Sequence, residues 1–176
     1  MSKRFILMRI KPTTCRVLAI DPGFERVGIA IIEKFAGKEK LLHSECFKTS
    51  AHNEFPERLK SLGIKVGNVI KEWKPDAFTT EKLFLSVNQK TAMRVSEARG
   101  VIIYEASKAG LPVREFTPLE IKMAITGYGK ATKNQVSIMV RKLISFPDKK
   151  ALDDELDAVA AGLTFFAYQN YPHKSR

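Results

Sequence analysis

The sequence predicts an α/β fold built on a five-stranded mixed sheet, and three observations lead there. Apolar, β-branched runs at Val17–Ile20 and Val27–Ile32 flank Pro22-Gly23, and a third strand-like run follows at Lys40–Thr49, so the first fifty residues read as an antiparallel meander. A helical pattern and a short strand come next, the order that adds a parallel strand to such a sheet. A second helix and strand then complete the five.

Each element has a local cause. The first hairpin is expected to turn over five or six residues around Pro22-Gly23. In the stretch from Phe55 to Trp73, Leu59, Leu62, Val66, Val69 and Ile70 recur at helical spacing, and Lys74-Pro75 ends the helix; Gly63 and Gly67 weaken it without forbidding it. Asp76 to Glu81 is the fourth strand. A long helix from Asn88 to Ala109 carries a stripe of Ala92, Val95, Ala98, Ile102 and Ala106, which fits either the core or the seam of a dimer. Leu111–Phe116 is the fifth strand. Thr117-Pro118-Leu119-Glu120 is a capping box with proline at the first helical position, and Thr132-Lys133-Asn134-Gln135 repeats the capping-box spacing. After a loop at Pro147–Lys150, the last helix opens on Asp153-Asp154-Glu155-Leu156-Asp157 and runs apolar to Phe166.

With 44% hydrophobic residues, 176 residues suffice for one domain with a real core, placed at 15–170 between an N-terminal extension (1–14) and a short tail (171–176). The extension is basic around Phe5-Ile6-Leu7-Met8 and reads as an arm or as an extra edge strand. Thirty Lys and Arg against 19 Asp and Glu give a net charge of +11, which favours a polyanionic partner such as nucleic acid over a membrane surface. No run approaches the ~18 apolar residues of a spanning helix, so a cytoplasmic protein without membrane partners is expected. Cys15 and Cys46 lack zinc-site spacing and read as buried thiols; His43, His52 and His173 are scattered, which disfavours histidine catalysis.

The chemistry lies in carboxylates. Asp21 ends a buried-looking run, where a lone charge is costly without a partner or a cation. Gly28, expected beside it on the next strand, leaves room for an ion or a phosphate. Asp-Pro-Gly is also ordinary turn chemistry, so Asp21 alone fits either role. Glu81 falls at the carboxyl end of the fourth strand. Asp154 and Asp157, three apart, share a face of the last helix, although acids in a first turn also serve as caps. Four gathered carboxylates repel one another unless hard divalent ions such as Mg²⁺ or Mn²⁺ neutralise them, and two such ions support phosphodiester cleavage. Setting those four aside leaves 30 basic residues against 15 acidic ones. Lys122, Lys130, Lys133, Arg141 and Lys142 surround a glycine-rich turn, as a phosphate-binding surface or a solvated face.

These motifs, in this order, resemble the RuvC family of Holliday junction resolvases, which have an RNase H-like fold. The resemblance runs from Val17 to about Phe166. It is carried by Ile20-Asp21-Pro22-Gly23 with Gly28, Glu81-Lys82-Leu83-Phe84 with Asn88, Ala98-Arg99-Gly100, Leu111-Pro112-Val113 and Ile121-Lys122. Gly127-Tyr128-Gly129-Lys130-Ala131-Thr132-Lys133-Asn134-Gln135-Val136 and Asp154-Glu155-Leu156-Asp157-Ala158-Val159-Ala160 complete it. The resemblance implies that Asp21, Glu81, Asp154 and Asp157 are metal-binding catalytic acids for two Mg²⁺ ions, with Mn²⁺ as a substitute. It also implies a homodimer cutting opposed strands of a four-way DNA junction to leave 5′-phosphates; a branch-migration motor complex is a further candidate partner, on which the sequence itself is silent. Lys122 and Lys133 match lysines near the scissile phosphate, Lys133 with a catalytic role; Phe84, Arg99 and Lys130 join them as expected DNA contacts. Phe84 fits base stacking or core packing equally. The chain departs from the family in the residues before Cys15, and in Phe24, Val27 and Ile29, where Ser, Thr and an aromatic residue are common.

Three other functions compete. One is an RNase H-like nuclease acting on RNA or on nicked or flapped duplex. Another is a junction-binding module that does not cut, which the intact acids oppose. The last is an actin-like ATPase, for which the chain is short and lacks a second phosphate loop.

Overall fold

Alternation along the first hairpin sets the architecture. In the computed structural model, which describes residues 14–82, 89–146 and 151–169, strand β1 (Cys15–Asp21) pairs antiparallel with β2 (Arg26–Phe35), placing Asp21 opposite Gly28. The strands run further than their apolar runs, so the turn shortens from the expected five or six residues to four, 22–25. Gly23 makes that turn possible: a Cβ there would lie 2.0 Å from the Arg26 carbonyl oxygen. Strand β3 (Lys38–Lys48) starts two residues earlier than expected, because Ala36 and Gly37 both take positive φ and close a two-residue hairpin.

Helix α1 (Phe55–Trp73) has the expected bounds and ends at Lys74, in the left-handed region at φ 47°, since Pro75 disfavours continued helix there. It leads to β4 (Ala77–Glu81), which lies parallel to β1. Helix α2 (Gln89–Lys108) then leads to β5 (Val113–Phe116), parallel to β4. The sheet order is β3-β2-β1-β4-β5. Helices α3 (Pro118–Thr126) and α4 (Lys133–Leu143) both begin with complete capping boxes, Thr117 with Glu120 and Thr132 with Gln135. Helix α5 (Asp153–Gln169) closes the fold.

The sheet lies between two layers. On one face Leu18, Ile20, Ile29, Ile31 and Phe78 pack against Leu62, Val66 and Val69 of α1 and Ala98, Ile102 and Ala106 of α2. On the other, Val17, Ala19, Ala30 and Ala77 pack against α3, α4 and α5. Ala98, Ile102 and Ala106 of the α2 stripe are therefore core, while Ala92 and Val95 are half-buried. Gly63 and Gly67, which merely weaken a helix in isolation, lie where α1 meets α2: a Cβ on Gly63 would stand 3.2 Å from Val101 Cγ1. Among the described residues, no helix is long and apolar enough to cross a membrane. Phe84, Asn88 and the 147–150 loop lie outside the described residues, as does nearly all of the 1–14 extension.

Candidate active site

Strand periodicity explains where the acids go. Residues two apart share a face, so Asp21 continues the row of Val17 and Ala19, and Glu81 continues the row of Ala77 and Thr79. Both rows face α5. Helix α5 comes down close on that face where Gly28, Ala19 and Ala30 lie beneath it and where its own Gly162 meets Ile32. A Cβ on Gly28 would lie 1.8 Å from the Asp154 carbonyl oxygen, and one on Gly162 would lie 3.2 Å from the Ala19 Cβ. The space at Gly28, expected to admit an ion or a phosphate, is instead filled by the α5 backbone. The consequence for the site is the same, since the close approach carries Asp154 and Asp157 to the ends of β1 and β4.

The four acids share one electrostatic field. Burial first, and then the charges of Asp157, Glu81 and Asp154, push the Asp21 carboxyl up to about 8, against a small opposing pull from Lys133. Glu81 is raised by burial and by Asp157, with Lys122 and Lys133 opposing. Asp157 is also raised, mainly by burial, although Lys133 donates a hydrogen bond to it. That contact, Lys133 Nζ to Asp157 Oδ2 at 2.8 Å, spans from the first turn of α4 to α5 and holds the Lys133 ammonium above its ordinary value. Glu81, Lys122, Lys133 and Asp157 line one cleft of ≈ 210 Å³ together with Pro118, Ile121 and Val136.

As the side chains stand, no three Asp, Glu, His or Cys among the described residues enclose an ion. Asp157 is turned to Lys133, and Asp154 pairs with the Arg26 guanidinium. The donor set nevertheless suits a hard cation: carboxylate oxygens from three elements, with Asp21 held protonated well above its ordinary range by burial first and by its acidic neighbours second.

The other candidates fall in different places. Lys130 is exposed in the turn between α3 and α4. Arg141 donates to the Ala151 carbonyl oxygen (3.1 Å) and lies over the Phe146 ring, so it holds the approach to α5. Arg99 is paired with Glu115, whose side of β5 is opposite to that of Phe116, and so lies on the far face of the sheet from the acids. Cys15 and Cys46 are free and only partly buried, because each sits toward a strand end. His43 hydrogen-bonds Glu45 (2.8 Å) and stacks on Trp73.

Several residues that hold the site went unread in the sequence. Glu155, between the two α5 acids, is buried; it accepts from Ser44 Oγ (2.8 Å) and from the Leu152 amide (3.3 Å), anchoring the start of α5 to β3. Arg58 donates to Thr49 Oγ1 (2.9 Å) and to the Phe24 carbonyl oxygen (3.1 Å), clamping the turn after Asp21. Arg26 pairs with Asp154. Glu155 carries a weak sequence signal as a first-turn acid; Arg58 and Arg26 carry none, because their partners are remote in sequence.

A mixed five-stranded sheet in this strand order, with helices on both faces, defines an RNase H-like fold, and it gathers the acids at the ends of β1 and β4 and at the start of the helix crossing them. A family model described as "Crossover junction endodeoxyribonuclease RuvC" matches residues 17–165. A protein of that name from Moorella thermoacetica is 36% identical over 160 residues, 91% of this chain and 96% of its own length. Another, from Desulfitobacterium hafniense, is 40% identical over 147 residues, 84% of this chain and 89% of its own. The structure of T. thermophilus RuvC in complex with Holliday junction substrate superposes with a TM-score of 0.81 at 32% identity, covering 88% of this chain and 94% of that one. The yeast mitochondrial Holliday junction resolvase Ydc2, 14% identical, shares the fold, with a TM-score of 0.66 over 92% of this chain and 83% of its own. The chain belongs to the RuvC family, whose members are divalent-metal-dependent nucleases.

Proposed function

We propose that the protein resolves four-way DNA junctions by nicking two opposed strands, with Asp21, Glu81, Asp154 and Asp157 holding two Mg²⁺ ions for which Mn²⁺ substitutes. The observation that carries this reading is the placement of acids from β1, β4 and α5 at one end of the sheet in a basic protein, with Glu81 and Asp157 lining one cleft beside Lys122 and Lys133. Bound ions supply a water nucleophile at neutral pH and neutralise charge on the leaving oxygen. Lys133 and Lys122, on the cleft wall beside Glu81 and Asp157, offer positive charge to a backbone phosphate. Lys133 is the better placed, because its ammonium already reaches Asp157. Lys130, at the exposed turn nearby, extends the basic surface along the DNA.

Cutting two strands calls for two sites, hence a homodimer. The buried part of the α2 stripe is not available for that contact. The opposite face of α2 is: Met93 (70% exposed), Gly100 with open space at its Cβ position, and Tyr104 (62% exposed) follow one another at helical spacing. We place the nuclease domain at 15–170, with 1–14 as an extension and 171–176 as a tail. We place the protein in the cytoplasm, as expected from its sequence. The branch-migration motor is a proposed partner to which no surface is assigned.

The test compares labelled four-way junction, linear duplex and RNA·DNA hybrid in Mg²⁺. Symmetric cuts in the junction, with ligatable ends and slow or absent cutting of the others, are expected. Preferential cutting of hybrid or duplex would overturn the substrate assignment and leave an RNase H-like nuclease of another kind.

A further inference from the structure

We propose that Arg26 is a built-in counter-ion that competes with divalent cations for Asp154, and so sets how much metal the site requires before it fills. The inference rests on the reading of the four acids as a metal site. Arg26 is the first residue of β2, two positions outward from Gly28, whose missing side chain lets the Asp154 backbone settle on the strand. That arrangement delivers the Asp154 carboxylate to the guanidinium across 128 residues of sequence. Nη2 of Arg26 pairs with Oδ2 of Asp154, and the Cys46 thiol approaches the same oxygen at 3.5 Å.

Competition follows from elementary electrostatics. The oxygen that accepts from Arg26 has its lone pairs directed at the guanidinium, and a divalent ion on the same carboxylate would be repelled by the adjacent positive charge. Metal bound through that oxygen has to break the pair, and metal bound through the other oxygen of Asp154 is held against the neighbouring guanidinium charge. Breaking it is feasible, because the Arg26 side chain is 48% exposed and can leave into water. Lys133 holds Asp157 in a comparable way, but it lines the cleft with Glu81 and has a use toward substrate. Arg26 reaches the site from the opposite side, by way of the hairpin, and does not line that cleft. It is a positioning residue: it acts on the reaction through Asp154.

The experiment is Mn²⁺ binding to the DNA-free protein, read by loss of the free-ion electron paramagnetic resonance signal, for the parent, Arg26→Ala, Arg26→Gln and Arg26→Lys. The two neutral variants are expected to bind Mn²⁺ about threefold more tightly, the scale of a partly exposed ion pair. The lysine variant should stay near the parent, and added NaCl should narrow the difference. Equal or weaker Mn²⁺ binding by both neutral variants, with the parent binding normally, would overturn the proposal and leave the metal site standing. A parent that binds no Mn²⁺ would overturn the metal site and this proposal with it.

Discussion

The two faces of the sheet solve different problems with the same alternating strands. Toward α1 and α2 the strands present Leu18, Ile20, Ile29, Ile31 and Phe78, all fully buried, which form one close-packed core with the two helices. Toward α5 they present Val17 and Ile32 but also Ala19, Ala30, Ala77 and Gly28, and at Gly28 the helix descends until its own backbone touches the strand. Both faces bury a substantial core. On the α5 face, however, the residues nearest the site are small, and the proximity they allow is what brings acids from three elements into one field. The same alternation sends Asp21 and Glu81 to the α5 face and sends Arg99, with Glu115, to the other.

That contrast can be broken from either side. The largest effect is expected from Phe78→Ala, which empties a fully buried site on the α1–α2 face and should cost about 3–5 kcal/mol in urea unfolding. The fraction that remains folded should bind Mn²⁺ as the parent does; loss of binding in step with stability would show that the two faces are not separable. Next comes Asp21→Asn without metal. A carboxyl raised from 3.8 to about 8 takes up a proton on folding, so stability is full below 3.8 and is lost as pH rises to about 8. The asparagine variant should exceed the parent by roughly a few kcal/mol at the upper end, converging on it near the lower. Parallel thermal melts in EDTA across that window would contradict the shared field. The smallest of the three, Gly28→Ala, should cost about 1–3 kcal/mol by pushing α5 off β2. Its mark is a fall in junction cleavage at temperatures where the variant is still folded; cleavage at the parent rate would mean that the close approach is dispensable.

What could be read in the sequence was local or periodic. The Val17–Ile20 and Val27–Ile32 runs, the Lys74-Pro75 stop and the two capping boxes depend on residues a few positions apart, and each stands where it was expected. The candidate acids were legible by chemical type, since a charge at the end of a buried run demands an explanation. The reason for Gly28 was not legible, because the atom it makes room for belongs to a residue 126 positions later. The Arg26–Asp154 and Ser44–Glu155 contacts were hidden for the same reason. The α2 stripe left two readings open for a different one: small apolar residues at helical spacing serve an intrachain helix pair as well as a dimer, and only the glycines of α1 mark which.

Everything functional depends on the acids of β1, β4 and α5 acting as one unit. The most direct measurement is Mg²⁺-dependent cleavage of a synthetic four-way junction by the parent, Asp21→Asn, Glu81→Gln and Asp157→Asn at matched folded concentration. Cleavage by the parent at opposed strands, with each single variant reduced by about 100-fold or more, is the expected result. An uncut junction with the parent, or a variant that cuts at the parent rate, would contradict it.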